Sequence, residues 1–237
     1  MSDRALLPKR YTPPGMSLEV FWELVPHVNV VVSHNHYDHM DWTSLKSMPR
    51  GALYYMPKGL GECLRDLEGA AVEEMDWWQT LYSPNGTRIV CLPIQHWSHR
   101  IPQATNKTLW AGYLLSTQDT TIYHGADSGY FIGYREFAKR YPGIDYALMP
   151  TTAYHSRCFM HYARTNIEEA LGTFLDLGAS WFMPMQWGTF RLGDDPPGKD
   201  NSVLETTYFG KRSWKTTISH SQHRGNRHPR KKVACGH

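Results

Sequence analysis

Apolar positions along this chain fall into short runs, many of them β-branched, separated by segments that suit helices. Residues 28–33 (VNVVVS) predict a buried strand, because Val is stiff at χ1 and packs well on a pleated surface. A short helix is expected over 42–48, a strand over 52–56 (ALYYM) and a further helix over 58–67. Residues 87–95, 108–116 and 120–125 read as successive strands, with Thr-Gln-Asp-Thr turning between the last two. A helix over 132–141, a strand over 144–149, a helix opened by an Asn166/Glu169 capping box and running to about Leu177, and a strand over 180–184 complete the pattern. A strand-rich middle with strand–helix alternation on both sides implies an α/β domain in which helices cover sheets.

Composition agrees with a folded unit. Of the 237 residues, 41% are apolar and 20% charged, with nine Trp and 14 Tyr, which excludes a disordered chain. The net charge of +3 is misleading: eight Lys and Arg and no acid lie in 211–237, so the rest of the chain is slightly acidic. We therefore expect one domain over 1–210 and a basic tail over 211–237, and nucleic acid is not an expected partner. Cys63, Cys91, Cys158 and Cys235 form no C-x-x-C pair, which argues against a thiolate zinc knuckle or a dense disulfide framework. No stretch approaches the ~20 apolar residues of a membrane span, so a cytoplasmic protein with at most peripheral membrane contact is expected.

The chemistry concentrates after the first strand. In Ser33-His34-Asn35-His36-Tyr37-Asp38-His39, three imidazoles and a carboxylate fall within six residues. Neutral imidazole nitrogen and carboxylate oxygen are zinc donors, and a loop leaving a strand can turn alternate side chains toward two adjacent ions. The bland alternative, a polar turn with exposed histidines, explains this density poorly. His96 ends one expected strand and Asp127 follows another, which makes both candidate ligands. Taken alone, each is better read as a structural polar residue.

In order, H-x-H-x-D-H, a later His and an Asp within G-A-D-S-G-Y resemble the metallo-β-lactamase superfamily. SHNHYDHMD, His96-Trp97, GADSGYF, ALMPTTAY and QWGTF resemble, more narrowly, the branch of N-acyl-phosphatidylethanolamine-hydrolysing phospholipase D and its bacterial relatives, over roughly residues 8–192. The resemblance implies an αββα sandwich and two zinc ions. His34, His36 and His96 match ligands of the first, Asp38 and His39 match ligands of the second, and Asp127 bridges them. It implies hydrolysis of a phosphodiester by hydroxide formed at the metals, with Asp38 and Asp127 as catalytic residues. Trp97, Tyr130 and Tyr154 are candidates to line the mouth, although aromatics at such places are as often core.

Three departures from the family stand out. Its last zinc ligand is a His where this chain has Gln186, a poorer donor, so weaker binding of the second metal is expected, with His155 or His161 as candidates to compensate. Arg164 stands where relatives commonly carry a His. The chain also starts close to the segment PKRYTPPG, so part of the N-terminal sheet is expected to be absent, leaving an open edge that favours association, including a homo-oligomer. The expected function is thus a zinc-dependent phosphodiesterase acting on a small-molecule or phospholipid substrate. A lactonase or other ester hydrolase of the same fold, or a catalytically weak metal-binding relative, are the alternatives.

Overall fold

The computed structural model describes residues 12–190 apart from 26, 102, 103 and 187. The basic tail and Trp187 lie outside the described residues. Two sheets carry the fold. The first holds three parallel strands in the order β1 (Asn29–Val31), β2 (Leu53–Pro57), β3 (Ala71–Met75). The second holds six, in chain order: β4 (Thr80–Tyr82), β5 (Arg88–Leu92), β6 (Gly112–Ser116), β7 (Thr121–His124), β8 (Tyr146–Pro150) and β9 (Trp181–Met185). Strands β4 to β7 form an antiparallel meander, and β7, β8 and β9 are parallel.

Alternation along the strands sorts side chains into three apolar layers. Tyr55 and Met75 meet Ile89, Cys91 and Tyr113 between the sheets. On the outer face of the first sheet, Tyr54 and Met56 pack with Leu45 of helix α2 (Trp42–Lys46) and with Leu60 and Leu64. On the outer face of the second, Val90, Leu92, Leu114 and Tyr123 pack beneath α3 (Gly133–Arg140) and α5 (Ile167–Leu177). The result is the expected αββα sandwich. Two further helices, α1 (Leu18–Leu24) and α4 (Arg157–Met160), bury no residue, and Leu18, Val20, Phe21 and Leu24 of α1 are exposed.

Helix α5 shows how local signals and packing combine. Asn166 accepts from the Glu169 amide at 2.8 Å while Glu169 accepts from the Asn166 amide at 3.0 Å, and Gly178 ends the helix in the left-handed region at φ 64°. Between these caps Ile167, Leu171, Phe174 and Leu177 are buried, each contributing about 1.5–3 kcal/mol of apolar burial.

Elsewhere the structure departs from the pattern. The helix expected over 58–67 is only one 3-10 turn, Gly61–Leu64, because the Glu74 carboxylate captures the Gly59 and Gly61 amides at 3.0 and 2.6 Å. Strand β3 was not expected: its two Glu are unfavourable in a buried strand but suit this edge, where both are exposed. The strand expected from 108 starts only at Gly112. The preceding residues instead reach the other sheet's connections, with the Leu109 amide on the Lys58 carbonyl and the Ala111 amide on that of Ser33, both at 2.9 Å.

Candidate metal centre

The candidate residues follow strand ends. His34 comes after β1, His96 after β5, Asp127 after β7 and Gln186 after β9. Strands β5, β7, β8 and β9 run in one direction, so their carboxyl ends share one edge of the sheet. The loop after β1 reaches that edge because the Ser33 carbonyl is held by the Ala111 amide. The loop is clamped further on: Asn35 Oδ1 accepts from the His99 amide at 2.8 Å. Arg100 donates to the carbonyls of Asn35 and Met40 at 3.1 and 2.9 Å, with its guanidinium 4.4 Å from the Tyr37 ring centroid. The amides of His39 and Met40 both return to the His36 carbonyl, a tight turn that brings His36 and His39 back toward His34.

The His96 and Asp127 loops are tied together by the Gly129 amide on the Gln95 carbonyl at 2.9 Å and the Gln95 amide on Ser128 Oγ at 3.1 Å. Gly129 is required here, since a Cβ would collide with the Tyr162 carbonyl. Ala126, just before Asp127, lies at φ 49° and Gln186 at φ 67°, so two non-glycine residues in the left-handed region flank the site.

Three ring nitrogens and one carboxylate oxygen converge. His34 Nε2 lies 2.9 Å from His36 Nδ1, which lies 3.3 Å from His96 Nε2. Asp127 Oδ2 lies 3.8, 3.7 and 3.1 Å from the Nε2 atoms of His34, His96 and His39. Burial holds the His34 pKa well below its ordinary value and lowers those of His36 and His96 to about 4 and about 3. The three rings are therefore neutral. His96 Nδ1 faces the Ala163 carbonyl at 3.2 Å, an acceptor only, so the proton sits on Nδ1 and the Nε2 lone pair points into the cluster. For His39, burial opposes the charged form, but the Asp127 and Asp38 carboxylates outweigh it and raise the pKa to about 10.

These atoms fit a metal. Asp127 Oδ2 is fully buried and has no aligned hydrogen-bond donor, although Arg164 Nη2 stands 2.7 Å away. Against desolvation, the charges of Arg164 and His39 keep the carboxyl well below the usual carboxylate range. A buried anionic oxygen beside the inward-facing lone pair of His96 and the converging ring nitrogens of His34 and His36 is a divalent-cation donor set. His34, His36, His96 and Asp127 form one such group and Asp38, His39 and Asp127 another, the ligand atoms of each lying within 4.8 Å of one another.

The Beta-lactamase superfamily domain model matches residues 14–187. The chain belongs to that superfamily. This member is 33% identical over 201 residues to an uncharacterised protein of Mycobacterium tuberculosis, covering 81% of this chain and 52% of that one. It is 30% identical over 198 residues to N-acyl-phosphatidylethanolamine-hydrolyzing phospholipase D 1 of Caenorhabditis elegans, covering 78% of this chain and 55% of that one. It thus spans about half the length of these relatives. Among solved structures, Igni18, a metallo hydrolase from Ignicoccus hospitalis, superposes with a TM-score of 0.61 at 20% identity, over 88% of this chain and 78% of that one.

The two residues expected from the resemblance to depart from the family pattern, Arg164 and Gln186, meet in space in this superfamily member. Arg164 Nη1 donates to Gln186 Oε1 at 3.1 Å, and Gln186 Nε2 donates to Asp127 Oδ1 at 2.7 Å. With an arginine on one side and a carboxylate on the other, only this amide orientation satisfies both. Gln186 Oε1, the atom that would bind a metal, is thereby occupied by Arg164. His155 and His161 enter neither donor group, and His161 is exposed with Nδ1 at 3.1 Å from the Arg157 carbonyl.

Of the expected mouth residues, Trp97 stacks on His96 at 4.8 Å and meets His36 edge-on at 5.7 Å. Tyr154 is largely buried, its ring 5.0 Å from that of His155. Tyr130 turns instead to the helical layer, where its hydroxyl donates to Asp176 at 2.5 Å. Sequence reading passed over Ser33, whose Oγ lies 2.9 Å from His34 Nδ1 and 3.4 Å from His39 Nδ1. It also passed over half-buried His124, lowered to about 4 mainly by desolvation, whose Nδ1 accepts from the Ala126 amide at 3.3 Å. A Ser beside a ligand run and a His ending a strand were the only signals for these.

Proposed function

We propose that this protein is a zinc-dependent hydrolase that cleaves a phosphodiester of the N-acyl-phosphatidylethanolamine class. The observation that carries the reading is the convergence of neutral His34, His36 and His96 on the buried Oδ2 of Asp127. The substrate class draws support from the 30% identity to the Caenorhabditis elegans phospholipase D.

His34, His36, His96 and Asp127 would hold zinc, and Asp38 and His39 lie beside Asp127. When bound, the cation supplies Lewis acidity, lowering the pKa of water and offsetting charge on the phosphoryl oxygens. The chain's own groups do the rest. Ser33 Oγ and the Ala163 carbonyl orient His34 and His96. Asp38, with its side chain 34% exposed, is the outermost carboxylate of the cluster and the acceptor for the proton of an entering water. Trp97, stacked on His96, walls this side of the cluster with an apolar ring and keeps bulk water from it.

The test is hydrolysis by the zinc-loaded full chain of N-acyl-phosphatidylethanolamine and, in parallel, of a lactone. We expect phosphodiester cleavage that stops on chelation and in His34→Ala. Lactone opening without phosphodiester cleavage would overturn the substrate class and leave a hydrolase. Turnover of neither by folded, zinc-loaded protein would overturn the catalytic reading.

A further inference from the structure

We propose that the chain holds a single metal ion, at His34, His36, His96 and Asp127, and that the Arg164 guanidinium, locked to Asp127 and Gln186, supplies the positive charge that a second ion would bring. This rests on the reading that the cluster binds metal. It adds how many ions bind and what replaces the other.

Arginine is among the residues least often buried, and when buried it is paired. Arg164 is 8% exposed, and its partner is Asp127 Oδ2, the oxygen that also faces His34, His39 and His96. Guanidinium does not lose its proton in a protein, so this is a fixed cation at the carboxylate both donor groups share.

A second dication at Asp38, His39 and Asp127 would stand beside that cation. Their repulsion in a buried site is poorly screened. The site is also short of donors: Asp127 Oδ1 is taken by Gln186 Nε2, Gln186 Oε1 by Arg164 Nη1, and only three ligand residues remain, one of them the partly exposed Asp38. The arginine is not free to swing away. Its amide bonds to the Met160 carbonyl at 2.9 Å, its carbonyl accepts from Arg157 Nη1 at 2.8 Å, and the next amide, of Thr165, bonds to the Ser128 carbonyl at 2.9 Å. That last bond fixes the arginine's segment to the residue after Asp127.

The experiment is metal stoichiometry on the full chain, stripped with a chelator and titrated back with zinc, and in parallel with cobalt for electron paramagnetic resonance. We expect one tightly held zinc per chain and the signal of an isolated high-spin cobalt. The double variant Arg164→His with Gln186→His is expected to take up a second equivalent and to give a magnetically coupled cobalt pair. Should that variant fail to fold, Arg164→Gln removes the charge alone and is expected to tighten a second zinc by about tenfold or more, a change of the size that groups around a metal site produce. Two tight zinc ions in the unaltered chain, or Arg164→Gln with no gain at the second site, would overturn the proposal. Binding of no zinc at all would instead overturn the reading of the cluster as a metal site.

Discussion

Ser33 Oγ lies 2.9 Å from Nδ1 of His34, its neighbour in sequence, and 3.4 Å from Nδ1 of His39. One hydroxyl therefore meets the outer nitrogens of two rings whose inner nitrogens face Asp127 Oδ2. Fixing a ring's tautomer and angle raises the affinity of a histidine ligand. Ser33→Ala is expected to weaken zinc binding by about 10- to 100-fold with folding intact. Competition against a chromophoric chelator measures it, and an unchanged affinity would remove Ser33 from any orienting role.

A second hydroxyl acts on the fold rather than the site. Tyr113, fully buried in β6, donates to the Val32 carbonyl at 2.9 Å and so joins the six-stranded sheet to the end of β1, two residues before His34. Tyr113→Phe keeps the ring and leaves that carbonyl short of a donor. A loss of about 1–3 kcal/mol is expected in urea unfolding.

The α5 capping box offers a local counterpart. Asn166→Ala removes the acceptor for the Glu169 amide and is expected to cost about 1 kcal/mol in the same unfolding measurement. Because Glu169 also binds Arg157 at 2.6 and 2.7 Å, a larger loss would indicate that the α4 segment loosens with the cap.

The cysteines should react unequally. Cys91 is fully buried between the sheets, and burial lifts its thiol to about 12, whereas Cys158 is exposed. Since the thiolate is the nucleophile, Cys91 should stay protonated and unmodified by iodoacetamide in the native protein at pH 8 while Cys158 is labelled. Peptide mass mapping reads both, and Cys91 labelling as fast as that of Cys158 would contradict its placement.

Raising the pH bears on the same residue. Burial pushes the folded-state thiol up to about 12 from its ordinary value near 9.0, so the neutral thiol is favoured in the core. Its contribution to stability is full below pH 9 and declines as the pH rises toward 12. Cys91→Ala should therefore flatten the alkaline limb of the unfolding free energy, measured by urea titration between pH 8 and 11.

Much of this protein was legible in the chain because the signals were local. The His34–His39 run needs only a strand and the loop after it. The Asn166 capping box and Gly178 set the ends of α5 through bonds spanning a few residues. The apolar runs of β5 and β6 read as strands, while their assignment to the layer between the sheets and the one beneath the helices comes from the packing.

What the chain could not display is anything created by bringing distant segments together. Arg164 and Gln186 read as two separate departures from the family pattern. Only the parallel register of β7, β8 and β9, with the Ser128–Thr165 bond, sets them side by side on Asp127. The same holds for Ala163, a residue with no polar side chain, whose carbonyl orients His96. Strand β3 escaped notice because its edge position, not its composition, admits two exposed glutamates. Sequence determines which donors a loop can offer; long-range packing decides which of their lone pairs face one another, and which are already taken.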